Sequence, residues 1–85
     1  MTEAFAHAYG PKVRVNCIMP GPFLTEMNLP VKDDPQFREG SLGATALGRW
    51  GELPEIQGAA VYLASPMSGY TTGALIAVDG GWTAR

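Results

Sequence analysis

Two short β-branched stretches, each cut off by a glycine turn and separated by one helix, limit what this chain can build. Val13-Arg14-Val15-Asn16-Cys17-Ile18 runs into Pro20-Gly21, and Ala74–Val78 runs into Asp79-Gly80-Gly81. Apolar, β-branched runs that stop abruptly at turn residues read as strands. Between them the sequence predicts a helix from about Pro54 to Ala64. Ile56, Ala59, Ala60 and Leu63 recur at i, i+3, i+4 and i+7 and form one apolar stripe. Pro54 suits the first turn, Glu52 and Glu55 put negative charge at the positive end of the helix dipole, and Ser65-Pro66 closes it. A strand–helix–strand crossover makes a parallel pair in an α/β sheet. Two parallel strands do not form a stable sheet, because their outer edges stay open and both faces need cover. The chain therefore reads as a single partial domain over residues 1–85, with further strands expected from elsewhere.

The remaining segments fit that frame. Thr2 to Tyr9 predicts a helix that stops at Gly10-Pro11. From Pro22 to Arg49 the pattern loosens around Pro22, Pro30, Pro35, Gly40, Gly43 and Gly48, with room for short helices near Phe37–Leu42. A long stretch without its own period is unusual inside a compact domain and common in lids and binding loops. The lid is placed at about Pro22 to Leu47.

Composition narrows the function classes. Charged residues are 16% of the chain, against about 25% in typical soluble domains. A small domain has proportionally more surface, so such low charge implies that part of that surface is normally covered. Net charge is −2 and the Lys and Arg residues are scattered, so the basic stripe that nucleic acid requires is missing. No apolar run approaches the ~20 residues of a membrane span, and the N-terminus lacks the features of a secretory signal. One cysteine, Cys17, allows neither an internal disulfide nor a Cys-rich metal site. These features together suggest a cytoplasmic protein with no metal centre. His7 reads as a surface residue, Cys17 as a packed thiol, and Lys32-Asp33-Asp34 as solvated lid surface. Arg49 is expected to pair with Glu52 or Glu55, and Trp50 and Trp82 to be buried against parts of a larger protein.

Three stretches, in order and in register, resemble the C-terminal third of the short-chain dehydrogenase/reductase family. They are Arg14-Val15-Asn16-Cys17-Ile18-Met19-Pro20-Gly21-Pro22-Phe23-Leu24-Thr25, then Leu47-Gly48-Arg49-Trp50-Gly51-Glu52 with the helix that follows, then Tyr70-Thr71-Thr72-Gly73-Ala74 through Val78-Asp79-Gly80-Gly81. The chain departs from the family pattern in having Ala8 two positions before Gly10 and in placing Pro54 one position late. The resemblance implies the last two strands, the connecting helix and the substrate lid of a Rossmann-like, doubly wound parallel sheet. It implies a cofactor, NAD or NADP, with Pro20 and Gly21 allowing close backbone approach and the Phe23 backbone and Thr25 hydroxyl meeting the carboxamide. Glycine, a free N–H and a hydroxyl are the right chemical types for this. The alternative for Thr25 is to cap a short helix.

The same resemblance implies an oxidoreductase interconverting secondary alcohols and ketones, with a small-molecule alcohol or ketone substrate and a homo-oligomeric assembly. The family's Gly-rich cofactor turn has no counterpart in these residues. Nor has its Tyr four residues before a Lys: Tyr9, Tyr62 and Tyr70 are followed four positions later by Val13, Pro66 and Ala74. The chain is thus expected to supply no catalytic residue and to need the N-terminal portion of the enzyme as partner. Two other readings stay open: a non-catalytic interaction module, and a truncated reading frame without function.

Overall fold

The chain leaves β1 (Cys17–Pro20), crosses through the lid and a helix, and returns as β2 (Leu75–Val78) alongside it. The computed structural model describes residues 1–84. The two strands are parallel, with Cys17 opposite Leu75 and Pro20 opposite Val78. A helix, α1 (Thr2–Tyr9), precedes them. The lid carries a 3-10 turn (Glu26–Val31) and a short helix, α2 (Pro35–Phe37), that runs into a π turn (Arg38–Leu42). The crossover helix is α3 (Leu53–Ala64), and 3-10 turns follow it (Pro66–Ser68) and β2 (Trp82–Ala84). The expected α/β order is present.

β1 starts at Cys17 rather than Val13 because side chains hold the preceding residues to the turn before β2. The Arg14 guanidinium donates to the carbonyls of Leu63 (3.0 Å), Ser68 (2.8 Å) and Thr71 (3.1 Å). The Asn16 amide donates to the Thr71 carbonyl at 3.0 Å and accepts from the Ala74 N–H at 3.0 Å. The Val15 N–H donates to the Thr72 hydroxyl at 3.1 Å, and the Val15 carbonyl accepts from Gly73. The strand register is therefore set by polar side chains before the backbone ladder begins.

α3 packs against both strands. Ile56, Ala59 and Leu63 of the expected stripe are half-buried, but Ala60 is exposed. No described residue covers that flank of the helix. Among the described residues the buried apolar set is Ala6, Phe23, Leu42 and Trp50, while Leu53, Val61, Tyr62, Met67 and Leu75 are exposed. The Cα radius of gyration is 15.4 Å, against about 12 Å for a compact domain of this length.

The lid has its own packing. Trp50 stacks on Phe37 with ring centroids 4.8 Å apart, and its indole N–H donates to the Lys32 carbonyl at 3.0 Å. Trp50 is thus buried by its own lid rather than by a separate part of a larger protein. Lys32, Asp33 and Asp34 are exposed, with Asp33 paired to Arg38 and Asp34 capping the Gln36 N–H.

Candidate functional site at the carboxyl ends of the strands

Both strands end at glycine turns, and the two turns touch. The Gly21 N–H donates to the Val78 carbonyl at 3.0 Å and closes the ladder. A Cβ on Gly21 would lie 2.6 Å from the Asp79 Cα, so only glycine lets the backbones meet at this distance. Open α/β sheets bind ligands in the crevice beyond the carboxyl ends of their strands, which is where these turns lie.

Beyond Gly21 the chain is clamped again. The Gly51 N–H donates to the Pro22 carbonyl and the Leu24 N–H to the Gly51 carbonyl, both at 2.9 Å, forming a short parallel bridge between Phe23 and Gly51. The Phe23 ring is buried in contact with Gly51. Its carbonyl accepts from the Asn28 side-chain amide at 2.7 Å, whereas its N–H makes no hydrogen bond to a described residue. Thr25 is extended (φ −120°, ψ 172°), and its carbonyl accepts from the N–H groups of Asn28 and Leu29. Its hydroxyl makes no cap bond to the 3-10 turn that follows. Among the described residues the loop thus leaves the Phe23 and Thr25 N–H groups and the Thr25 hydroxyl without a hydrogen bond on a fixed backbone.

The Asp79 turn is equally fixed. One carboxylate oxygen accepts from the Gly81 N–H (3.0 Å), and the other from the Thr83 hydroxyl (2.9 Å) and N–H (3.1 Å). The Thr83 hydroxyl, then these N–H groups, hold the Asp79 carboxyl below its ordinary pKa. The Gly80 carbonyl accepts from the Leu47 N–H at 3.0 Å and ties the end of the lid to this turn. At the start of α3, Arg49 forms a two-pronged ion pair with Glu55, 2.8 Å at each prong. Glu55 also accepts from the Glu52 N–H at 3.0 Å. The Arg49 guanidinium foremost, and the Glu52 N–H after it, lower the Glu55 carboxyl to about 2, and the same pair raises Arg49.

Two cavities flank the loop. The larger, about 450 Å³, is lined by Phe23, the Arg49–Glu55 pair and the Asp79–Gly81 turn among others. The smaller, about 290 Å³, is lined by Pro20 and Gly21 with Ser41, Trp82 and Thr83. Pro22 and Asp79 line both. Of the four residues expected at the cofactor, Pro20 and Gly21 therefore border one cavity, Phe23 borders the other, and Thr25 borders neither. Sequence reading missed Asn28, Ser41 and Thr83. Only Thr83 had a signal, its position four residues after Asp79, which suits a local side-chain bond. Among the described residues no three His, Cys, Asp or Glu side chains converge as a metal site, and no helix is long and apolar enough to cross a membrane.

Comparison with known proteins identifies the family. A family model described as enoyl-(acyl carrier protein) reductase matches residues 1–83. The chain is 48% identical to galactitol 2-dehydrogenase (L-tagatose-forming) of Cereibacter sphaeroides, over 98% of this chain and 33% of that protein. It is 41% identical to 2-dehydro-3-deoxy-D-gluconate 5-dehydrogenase of Bacillus subtilis, over 100% of this chain and 34% of that protein. The crystal structure of a gluconate 5-dehydrogenase from Burkholderia cenocepacia, in complex with NADP and tartrate, superposes with a TM-score of 0.86 at 35% identity. That match covers 99% of this chain and 33% of the other. The chain spans about a third of the length of the curated relatives it matches.

Proposed function

The chain belongs to the short-chain dehydrogenase/reductase family, and from that premise we propose that it is the C-terminal third of an NAD(P)-dependent oxidoreductase interconverting secondary alcohols and ketones. The sheet is then the last pair of strands of a Rossmann-like, doubly wound sheet. The nicotinamide cofactor supplies the hydride chemistry. The residues of this chain bind and orient: Pro20 and Gly21 bring the backbone close, and the Phe23 N–H and Thr25 hydroxyl receive the carboxamide. The carrying observation is that, among the described residues, these two groups make no hydrogen bond on a loop whose Gly21 and Leu24 N–H groups are both bonded. A carboxamide has an acceptor oxygen and a donor NH2, and an N–H beside a hydroxyl complements both.

The remaining two-thirds of the enzyme, with the Gly-rich cofactor turn and the proton-transfer residues, covers the open strand edge and the exposed apolar residues of α3. A homo-oligomer accounts for the rest of that surface, where Gly58, Ala59, Ala60 and Ala64 permit close approach.

The test is a chimera in which residues 1–85 follow the first two-thirds of the B. cenocepacia gluconate 5-dehydrogenase. A folded chimera is expected to reduce NAD or NADP when given a secondary alcohol. A folded chimera that binds the cofactor but transfers no hydride from any alcohol would sink the reading.

A further inference from the structure

We propose that Asn28 is a positioning residue for the nicotinamide: its side-chain amide holds the Phe23 carbonyl and so fixes the peptide edge that presents the Phe23 N–H. This rests on the cofactor reading of the Pro20–Thr25 loop and deepens it.

The geometry begins at Gly51. Its N–H donates to the Pro22 carbonyl and its carbonyl accepts from the Leu24 N–H, each at 2.9 Å, with Phe23 bridged between them. In extended backbone the N–H and C=O of one residue point to the same edge, and those of its neighbours to the other. Phe23 therefore turns both its N–H and its carbonyl away from Gly51, onto the opposite edge. Asn28 reaches that edge, where its Nδ2 donates to the Phe23 carbonyl at 2.7 Å. Its backbone N–H donates to the Thr25 carbonyl at 2.9 Å. One residue of the 3-10 turn Glu26–Val31 thus grips the two carbonyls on either side of Leu24. Glu26 and Met27 of the same turn are exposed, whereas Asn28 is half-buried with its side chain turned back onto the loop.

Two consequences follow for a ligand on this edge. The Phe23–Leu24 peptide is bonded at both ends, its carbonyl to Asn28 and its N–H to Gly51, so it cannot rotate without breaking both bonds. The planar Pro22–Phe23 peptide gives its carbonyl to Gly51 and points its N–H the other way. With Asn28 on the Phe23 carbonyl, the edge offers a donor, which suits the carboxamide oxygen and leaves the carboxamide NH2 for the Thr25 hydroxyl. Without Asn28 the Phe23 carbonyl becomes a competing acceptor for that NH2, and the carboxamide has a second, reversed way to dock.

The gluconate 5-dehydrogenase chimera tests this, with NADP and 2′-phospho-ADP-ribose, which lacks the nicotinamide, titrated side by side. Asn28→Ala is expected to weaken NADP about fivefold, the equivalent of one hydrogen bond, while 2′-phospho-ADP-ribose stays within about twofold. Asn28→Asp keeps the shape but sets a carboxylate oxygen against the Phe23 carbonyl, so it should weaken NADP by at least about tenfold and again spare the fragment. Equal losses for NADP and the fragment would show that Asn28 only supports the fold, and they overturn the proposal. So does NADP affinity that both variants leave unchanged. Either of those failures occurs in a parent chimera that binds NADP. A folded parent that binds no NADP removes the cofactor reading of the loop and this assignment together, before any variant is compared.

Discussion

Gly21 rests directly on Asp79, with a Cβ at position 21 placed 2.6 Å from the Asp79 Cα and 2.8 Å from its Cβ. The contact joins the ends of both strands, so whatever moves one turn moves the other. Gly21→Ala puts a methyl group into backbone, which cannot yield as a flexible side chain can. Overpacking of this kind costs about 1–3 kcal/mol. The substituted chimera should unfold at lower urea concentration, and its KM for the nicotinamide cofactor should rise as the Pro20–Thr25 loop is pushed off Asp79. An unchanged midpoint would show that the two turns are not rigidly coupled.

The parts of the fold written in local pattern were legible before any coordinates. The α3 helix, its Pro54 start and the Asp79-Gly80-Gly81 stop each depend on neighbours a few residues away, and each is where it was expected. Arg49 pairs with Glu55, six residues on, which charge placement at a helix start foretold. The register-setting bonds of Arg14 and Asn16 were not legible, because their partners lie 49–58 positions away. Nothing local marks an arginine as a ligand for three carbonyls. Ala60 was assigned to the apolar stripe and is exposed, because periodicity names the apolar face of a helix but not how much of it this chain covers. The cofactor role of the Pro20–Thr25 loop is an expectation from resemblance alone. What no pattern conveyed is that the Phe23 N–H and Thr25 hydroxyl make no hydrogen bond to a described residue.

Arg14 holds the end of α3 and the following turn onto β1 through three carbonyls. Lysine keeps the charge but presents a point of donors rather than a planar fork, so Arg14→Lys cannot satisfy all three. Leaving half-buried carbonyls short of a donor costs about 1–3 kcal/mol. The chimera carrying Arg14→Lys should lose that much by denaturant unfolding. Arg14→Met should lose at least as much, because it removes every donor. Equal stability of the lysine variant and the parent would mean that charge alone matters at this position.

Thr25 separates a binding role from a structural one. Its hydroxyl caps nothing, so Thr25→Val, which keeps shape and removes the hydroxyl, should leave the unfolding midpoint unchanged. If the hydroxyl meets the carboxamide, KM for the cofactor should rise by a factor of roughly 2–12, the equivalent of one hydrogen bond. Thr25→Ser should restore most of the affinity. A midpoint that falls together with cofactor affinity would return Thr25 to a structural role.

The Arg49–Glu55 pair gives stability a defined pH window. Folding depresses the Glu55 carboxyl to about 2 from an ordinary value of 4.5, so the folded state binds this proton less readily than the unfolded chain. The stabilisation is complete above about 4.5 and drains away as pH falls toward 2. Asp79, held low by Thr83, acts in the same direction. Both partners of the Arg49 pair are about half exposed, so the effect is small and salt weakens it. Thermal unfolding of the chimera should show a shallower fall in Tm between about pH 5 and pH 2.5 for Glu55→Gln than for the parent. The difference between the two should shrink in high salt.

The chain by itself should not behave as a compact domain. Its radius of gyration is 15.4 Å with extents of 47 × 23 × 19 Å, and Val61, Tyr62, Met67, Tyr70 and Leu75 stand exposed along α3, the turn and β2. A two-stranded parallel sheet with open edges cannot offset the entropy of ordering the backbone. The isolated 85-residue chain is therefore expected to give a broad, non-cooperative melt, to bind a hydrophobic dye, and to scatter X-rays with a radius above the ~12 Å of a compact domain. Joined to the first two-thirds of a relative, the same residues should melt cooperatively and lose dye binding. A sharp, dye-free transition for the isolated chain would favour the free-standing interaction module over the enzyme fragment, since such a module must fold without the rest of the sheet.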